Sequence, residues 1–217
     1  MSFMTRARLQ GGDAAQRGLT RLLLAESRRD AGHRLVWTLF GDDPDAARDF
    51  VYRETALGQY LIVSARAPAG ADAVWRAETK PYAPRFDVGA RLAFDLRAVP
   101  VRSVRTTPGG RGRRIDATTG RGGRAGAALA WLLARGEALG VRFDGEACRV
   151  DAVRPLRIPR PGQAPIAFTT ADFRGVLEVA DPARLAQAAT SGVGRAKAYG
   201  CGLLLLRPLV RVVDGSA

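Results

Sequence analysis

Two short stretches hold residues suited to work on a phosphate ester. In "SGVGRAKAYGCGLLLL" (Ser191 to Leu206) four glycines fall within eleven residues, with Arg195 and Lys197 between them and an apolar run behind. Glycine φ freedom lets successive N–H groups turn outward as an anion nest, and two cations beside it would neutralise a phosphate. The second stretch centres on His33, the sole imidazole of the chain. A partly desolvated histidine titrates near neutral pH and can act as a general acid or base; a packed or capping histidine looks the same in sequence.

The order of elements limits whose phosphate the glycine loop could hold. "DPARLAQAATSG" reads as a helix with Asp181 as N-cap, Pro182 at its first position and Gly192 at its stop, and a strand follows the loop. Nucleotide-binding glycine loops run strand, loop, helix, so that a helix N-terminus meets the phosphates. Here a helix C-terminus would approach, and the GxxxxGK[ST] spacing is absent. A mononucleotide cofactor is disfavoured. Two readings stay open for Gly192, Gly194, Arg195 and Lys197: contacts to a polynucleotide backbone, or a helix cap leading tightly into a buried strand.

Charge speaks for the polynucleotide. The 217 residues carry 34 basic and 21 acidic side chains, a net +13 with a pI near 11.2, and all but two of the bases are arginine. A GC-rich genome explains arginine over lysine but not the excess, which points to a polyanion partner. Seven arginines crowd between Val101 and Gly126 against one acid, Asp116. This segment is either a basic hairpin gripping an RNA stem or a solvated linker, and the dense, one-signed charge favours RNA. Arg102, Arg105, Arg111, Arg113 and Arg114 are its candidate contacts. Cys148 and Cys201 are far apart, and no CxxC, HExxH or Cys/His cluster exists, so neither zinc nor a disulfide is expected. No apolar run reaches a membrane span and the N-terminus has no signal-peptide pattern, so a cytoplasmic protein is expected.

These residues need a scaffold. "SFMTRARL" reads as a strand and "SRRDAGHRLVWTLF" as a helix with Ser27 and Asp30 as a capping box. Strands follow at "RDFVYRE" and "QYLIVSAR", a short helix at "ADAVWRA" and a long strand at "ARLAFDLRAVPVRSV". A second series holds a strand at "RRIDAT", a helix at "GAALAWLLARGEALG", strands at "ACRVDAVRPLRI", "APIAFTT" and "RGVLEVA", the Asp181 helix and a last strand "LLLLRPLVRVV". The expected fold is α+β, two tandem ferredoxin-like (RRM-like) βαββαβ domains, residues 1–100 and 101–217.

Three blocks carry a family resemblance. "FRGVLEVADPARLAQAATSGVGRAKAYGCGLLLLRP" resembles the C-terminal signature of the CasE-type CRISPR-associated endoribonucleases, the repeat-cleaving subunits of type I-E systems. "HRLVWTLFGDDPDAARDFVYRE" is similar to the family's H-x-x-x-W-x-L-F segment followed by R-D-F, and "GARLAFDLRAVPVRS" to its G-x-x-L-x-F-x-L-R-A-[NV]-P strand. The resemblance implies two facing ferredoxin-like domains and metal-independent cleavage at the base of a repeat hairpin. There a 2′-hydroxyl attacks the adjacent phosphate and leaves a cyclic phosphate. It implies CRISPR repeat RNA and the other subunits of the type I-E effector complex as partners, with no membrane and no small-molecule cofactor. His33 falls on the family's catalytic histidine, and Arg34 on a basic position that would clamp the scissile phosphate. Two positions depart: Asp30 stands where several relatives have tyrosine, and Thr38 where some have lysine. The partner of His33 in acid–base chemistry is thus left among Asp30, Tyr199 and the RNA, and a binding-only RNA subunit is the alternative function.

Overall fold

The opening strand alternates as a half-buried strand should, with Thr5 and Ala7 inside and Arg6 and Arg8 exposed. A computed structural model places this strand, β1 (Ser2–Leu9), at the centre of the first of three sheets. It describes residues 1–10, 28–41, 47–69, 74–104, 113–120, 122–160 and 162–209, with side chains in the first helix from Gly32 onward. Helix α1 (Arg28–Trp37) runs into a 3-10 turn, Thr38–Phe40, and strands β2 (Phe50–Ala56), β3 (Gln59–Ser64) and β4 (Trp75–Tyr82) follow. The sheet order is β2-β3-β1-β4, antiparallel throughout. Leu35, Val36, Leu39 and Phe40 of the helical segment pack on Ala7, Phe50, Tyr52, Tyr60, Ile62 and Trp75.

One expected helix is a strand. Trp75, read within "ADAVWRA", starts β4, where pairing Leu9↔Trp75 supplies ladder bonds and its ring is fully buried. Edge pairing and burial override a weak local pattern. The proposed cap residue Ser27 lies outside the described residues, as does the side chain of Asp30.

The second sheet contains β5 (Arg91–Ala98), β8 (Val141–Phe143), β10 (Gln163–Val179) and β11 (Leu204–Pro208) in the order β11-β5-β10-β8, with β9 (Arg149–Arg160) pairing along β10. Helices α2 (Gly123–Leu133), α3 (Gly136–Leu139) and α4 (Pro182–Ser191) accompany it. Its core joins Leu92, Phe94, Leu96, Leu132, Phe173, Leu177 and Leu185. The N-cap reading holds: Asp181 accepts from the amides of Ala183 and Arg184 at 3.0 and 3.1 Å.

Two sequence boundaries shift. The stretch read as one strand over 90–104 breaks at Pro100, which has no N–H to continue a ladder. Its first part, β5, is hydrogen-bonded into the second sheet, not the first. Its second part, β6 (Val101–Val104), forms a separate hairpin with β7 (Arg113–Asp116). Conversely, "APIAFTT" and "RGVLEVA" merge into the single strand β10, because β9, β5 and β8 pair along its length.

The sheets are joined directly. Val51 and Val63, on the face of the first sheet away from α1, pack with Leu203. Arg53 on β2, only 8% exposed, is ion-paired with Asp95 on β5. Beyond that pair the second sheet carries a ladder of charges: Arg174 reaches Asp95 (2.9 Å) and Asp151 (3.3 Å), while Arg97 and Arg154 share Asp172.

Candidate functional site

His33 sits on α1 one turn before Trp37, half-buried above β2. The indole Nε1 of Trp37 donates to His33 Nε2 at 3.1 Å. Both rings rest against Phe50, with centroids 6.1 Å away for His33 and 5.1 Å for Trp37, and Phe50 stacks on Phe40 at 4.9 Å. Arg34, the next residue, is exposed. Thr38 has a structural job: its hydroxyl donates to Leu35 O at 2.7 Å and accepts from Trp75 Nε1 at 2.8 Å.

The glycine loop packs against this helix. Its 3-10 turn, Lys197–Tyr199, contacts α1, and the Tyr52 hydroxyl on β2 donates to Ala198 O at 2.9 Å. A side chain at Gly200, where φ is +72°, would begin 3.5 Å from the Tyr52 ring. Sequence separation of 146 residues is thereby closed, and His33 and the loop occupy one neighbourhood.

Within the loop the glycines divide. Gly192 and Gly202 are demanded by packing: a Cβ on Gly192 would lie 2.9 Å from Val51, and one on Gly202 2.7 Å from Val193 O. Their neighbours close the loop, with Val193 N donating to Gly202 O and Gly202 N to Arg97 O, both at 2.7 Å. Gly194 is exposed, at φ +76°, and a Cβ added there would meet nothing within 4 Å, so its face is open. Ala196 sits at φ +58°, a left-handed conformation that costs a non-glycine residue about 1–2 kcal/mol. Cap and open loop coexist: Gly192 ends the helix and leads tightly toward β11, as one of the two readings has it, while Gly194 leaves its face open.

The two loop cations serve different surfaces. Lys197 Nζ donates to Ser191 O at 2.5 Å and lines a cleft of about 280 Å³ with Arg48, Asp49, Thr190 and Ser191. Burial, and then the charge of Arg48, hold the Lys197 ammonium below its ordinary pKa. Arg195 instead lines a groove of about 660 Å³ with Arg114, Asp116, Phe168 and Tyr199, where the last two rings lie 5.5 Å apart.

That groove runs to the root of the basic hairpin, which is a paired β-ribbon. Arg102 faces Ile115, Ser103 faces Arg114 and Val104 faces Arg113, with all three arginines exposed. Asp116 anchors the ribbon by accepting from Thr118 N and Oγ1, each at 2.7 Å, and from Thr169 Oγ1 at 2.5 Å. Burial opposes its ionisation, but the Thr169 and Thr118 hydrogen bonds win and hold the carboxyl below the usual range. Val101 O accepts from Trp131 Nε1 (2.8 Å) and Arg135 (3.2 Å). Arg105 and Arg111 lie outside the described residues.

The family model described as CRISPR associated protein matches residues 3–208. Over 193 residues the chain is 31% identical to CRISPR system Cascade subunit CasE of Escherichia coli strain K12, covering 82% of this chain and 90% of that one. The chain belongs to the CasE family. Among solved structures, the fold is similar to CRISPR endoribonuclease Cse3 bound to 19 nt RNA (TM-score 0.74, 26% identity, 96% of this chain and 100% of that chain). It is also similar to Thermus thermophilus Cse3 bound to an RNA representing a pre-cleavage complex (TM-score 0.73, 25% identity, 95% and 99% covered).

For this CasE-family chain, sequence reasoning passed over Arg48 and over Phe168, the ring beside Tyr199. Arg48 lay in the quoted "RDF" block, yet its approach to Lys197 is a tertiary fact without local signal. Among the described residues no group of three His, Cys, Asp or Glu side chains is placed to hold a metal ion, and no helix is long and apolar enough to cross a membrane.

Proposed function

We propose that this chain is a metal-independent endoribonuclease that cuts CRISPR repeat hairpins and keeps the product as a subunit of a Cascade-type effector complex in the cytoplasm. The observation that carries the reading is the packing of the His33 helix against the cationic glycine loop, beside an arginine-lined ribbon. The matched relatives, a Cascade subunit and RNA-bound Cse3 endoribonucleases, support it. Both sheets follow the strand order of a ferredoxin-like unit (fourth, first, third, second), which supports two such units, divided within 83–90 and not near Pro100.

Roles follow from chemistry and position. His33 moves a proton as a 2′-hydroxyl attacks the adjacent phosphate in line, giving a 2′,3′-cyclic phosphate. Arg34, with Lys197 and Arg48, supplies positive charge for the phosphorane. Arg102, Arg105, Arg111, Arg113, Arg114 and Arg195 track the stem backbone, because an A-form major groove is too narrow for broad base reading. Gly194 leaves the loop open to the backbone, while Gly192 shapes it.

Incubating the protein with a repeat hairpin in EDTA tests this. Cleavage ending in a cyclic phosphate, blocked by a 2′-deoxy sugar at the scission point, is expected. Cutting of the deoxy strand overturns the mechanism. A binding-only subunit is the second reading, favoured by Thr38, whose hydroxyl is committed to Trp75 and Leu35 where some relatives carry lysine. It predicts intact, tightly held RNA in the same tube.

A further inference from the structure

The groove at the root of the ribbon differs in chemistry from a surface that tracks a stem. Much of its lining is apolar: Val99, Pro100, Ile166, Phe168 and Tyr199. A paired A-form stem shows a protein its phosphates, 2′-hydroxyls and base edges, while its base faces stay stacked inside. Such a stem has nothing flat and apolar to lay against this lining. Asp116 also lines the groove, and hydrogen bonds from Thr118 and Thr169 hold its carboxylate ionised. A fixed negative charge there repels phosphate from the interior. Cations come from two elements, Arg114 from β7 and Arg195 from the glycine loop, and both side chains are exposed.

Phe168 on β10 and Tyr199 in the 3-10 turn of the glycine loop lie 5.5 Å apart, tilted by 43°. Both are half-buried, so part of each ring is exposed, and Leu156 of β9 sits opposite Phe168 in the strand ladder. The volume of about 660 Å³ lies within the range of about 300–1,000 Å³ usual for small-molecule sites, ample for one base. Rings that stack a base beside cations that take its phosphates are how proteins hold unpaired nucleotides. We propose that this groove is a nucleobase pocket, in which Phe168 and Tyr199 stack an unpaired nucleotide adjoining the base of the hairpin stem and Arg114 and Arg195 meet its phosphates. The inference rests on the RNA-processing reading above and narrows it: part of the specificity comes from single-stranded RNA next to the stem. The fold sets the position, because the turn that carries Tyr199 also packs against the His33 helix. A base seated on Tyr199 therefore belongs near the scission point, while the ribbon arginines follow the stem.

The test measures binding by the full chain of a repeat hairpin with unpaired flanks, carrying a 2′-deoxy sugar at the scission point. Each flanking nucleotide in turn is made abasic. One position should weaken binding about tenfold, within the range for a base stacked on an aromatic side chain. Phe168→Leu keeps the apolar bulk and removes the ring, and Tyr199→Leu does the same from the loop side. Either should weaken the flanked hairpin by a similar factor while a blunt stem without flanks binds as it does to the parent. Combining Phe168→Leu with the sensitive abasic RNA should cost no more than either change alone. The inference falls if no flanking position responds to loss of its base, or if both variants weaken the blunt stem as much as the flanked one. A chain that holds no hairpin at all overturns the function proposed above, and this inference with it.

Discussion

The two main sheets share a strand order but solve different problems. Under α1 the first sheet packs a chain of rings, from Trp37 through Phe50, Tyr52 and Tyr60 to Trp75, each within 5.1–6.3 Å of the next. The second packs mainly aliphatic side chains under its helices and lays an ion ladder across its other face. Edge-on and tilted ring contacts are directional, so an aromatic core orients an individual side chain such as His33. An aliphatic core is indifferent to such angles. The second sheet instead anchors its projecting parts, the ribbon and the glycine loop, with hydrogen bonds at their roots. One half is directional in its packing, and the other carries ion pairs on its open face.

That contrast can be broken at several points. The largest effect belongs to His33→Ala, which should lower single-turnover cleavage by about 10²–10⁴-fold, the usual range for a general acid or base, with hairpin affinity nearly intact. Equal loss of binding would mean that the first sheet also grips RNA. At the junction of the halves, Gly202→Ala drives a Cβ against Val193 O at positive φ and should cost about 2–4 kcal/mol in a denaturant melt. Gly194→Ala, with open space around it, should cost only about 1 kcal/mol of backbone strain. Asp95→Ala strips the buried Arg53 of its ion pair across the sheets, and a loss of about 3 kcal/mol is expected by the same melt.

Smaller effects sharpen the comparison on the binding side. Arg113→Ala with Arg114→Ala should reduce the slope of log affinity against log salt by about two units while the cleavage rate of saturated RNA stays the same. An unchanged slope would place the stem elsewhere. Acid should act first on the second half. Burial pushes the Asp172 carboxyl up, but the Arg97 hydrogen bond and the charges of Arg97, Arg53 and Arg154 hold it below the usual carboxylate range. Asp116 is depressed as well. A depressed carboxyl stabilises fully above its unfolded pKa and loses that contribution as pH falls through its folded value. Stability should therefore decline below about pH 4, and Asp172→Asn should flatten that acid limb.

Much of this was legible locally. Residues 2–9 alternate, Asp181 and Pro182 start a helix, and both appear as read. The dense, one-signed charge of the arginine cluster at 101–126 was legible as well. Trp75 misled because helix and strand patterns are degenerate over seven residues, and β5 misled because strand identity does not say which sheet the strand joins.

Composition, periodicity and motif spacing determined by themselves most of the elements, the excess of positive charge, and that His33 and the glycine loop merit attention. Those are properties of short stretches and of summed charge. Only the tertiary structure decided that β5 crosses to the second sheet, that Tyr52 ties the glycine loop to β2, that Arg195 and Lys197 part to different clefts, and that Trp37 donates to Nε2 of His33. Each of these depends on atoms brought together by packing or on the rotamer a neighbour permits, and neither is written in the order of residues along the chain.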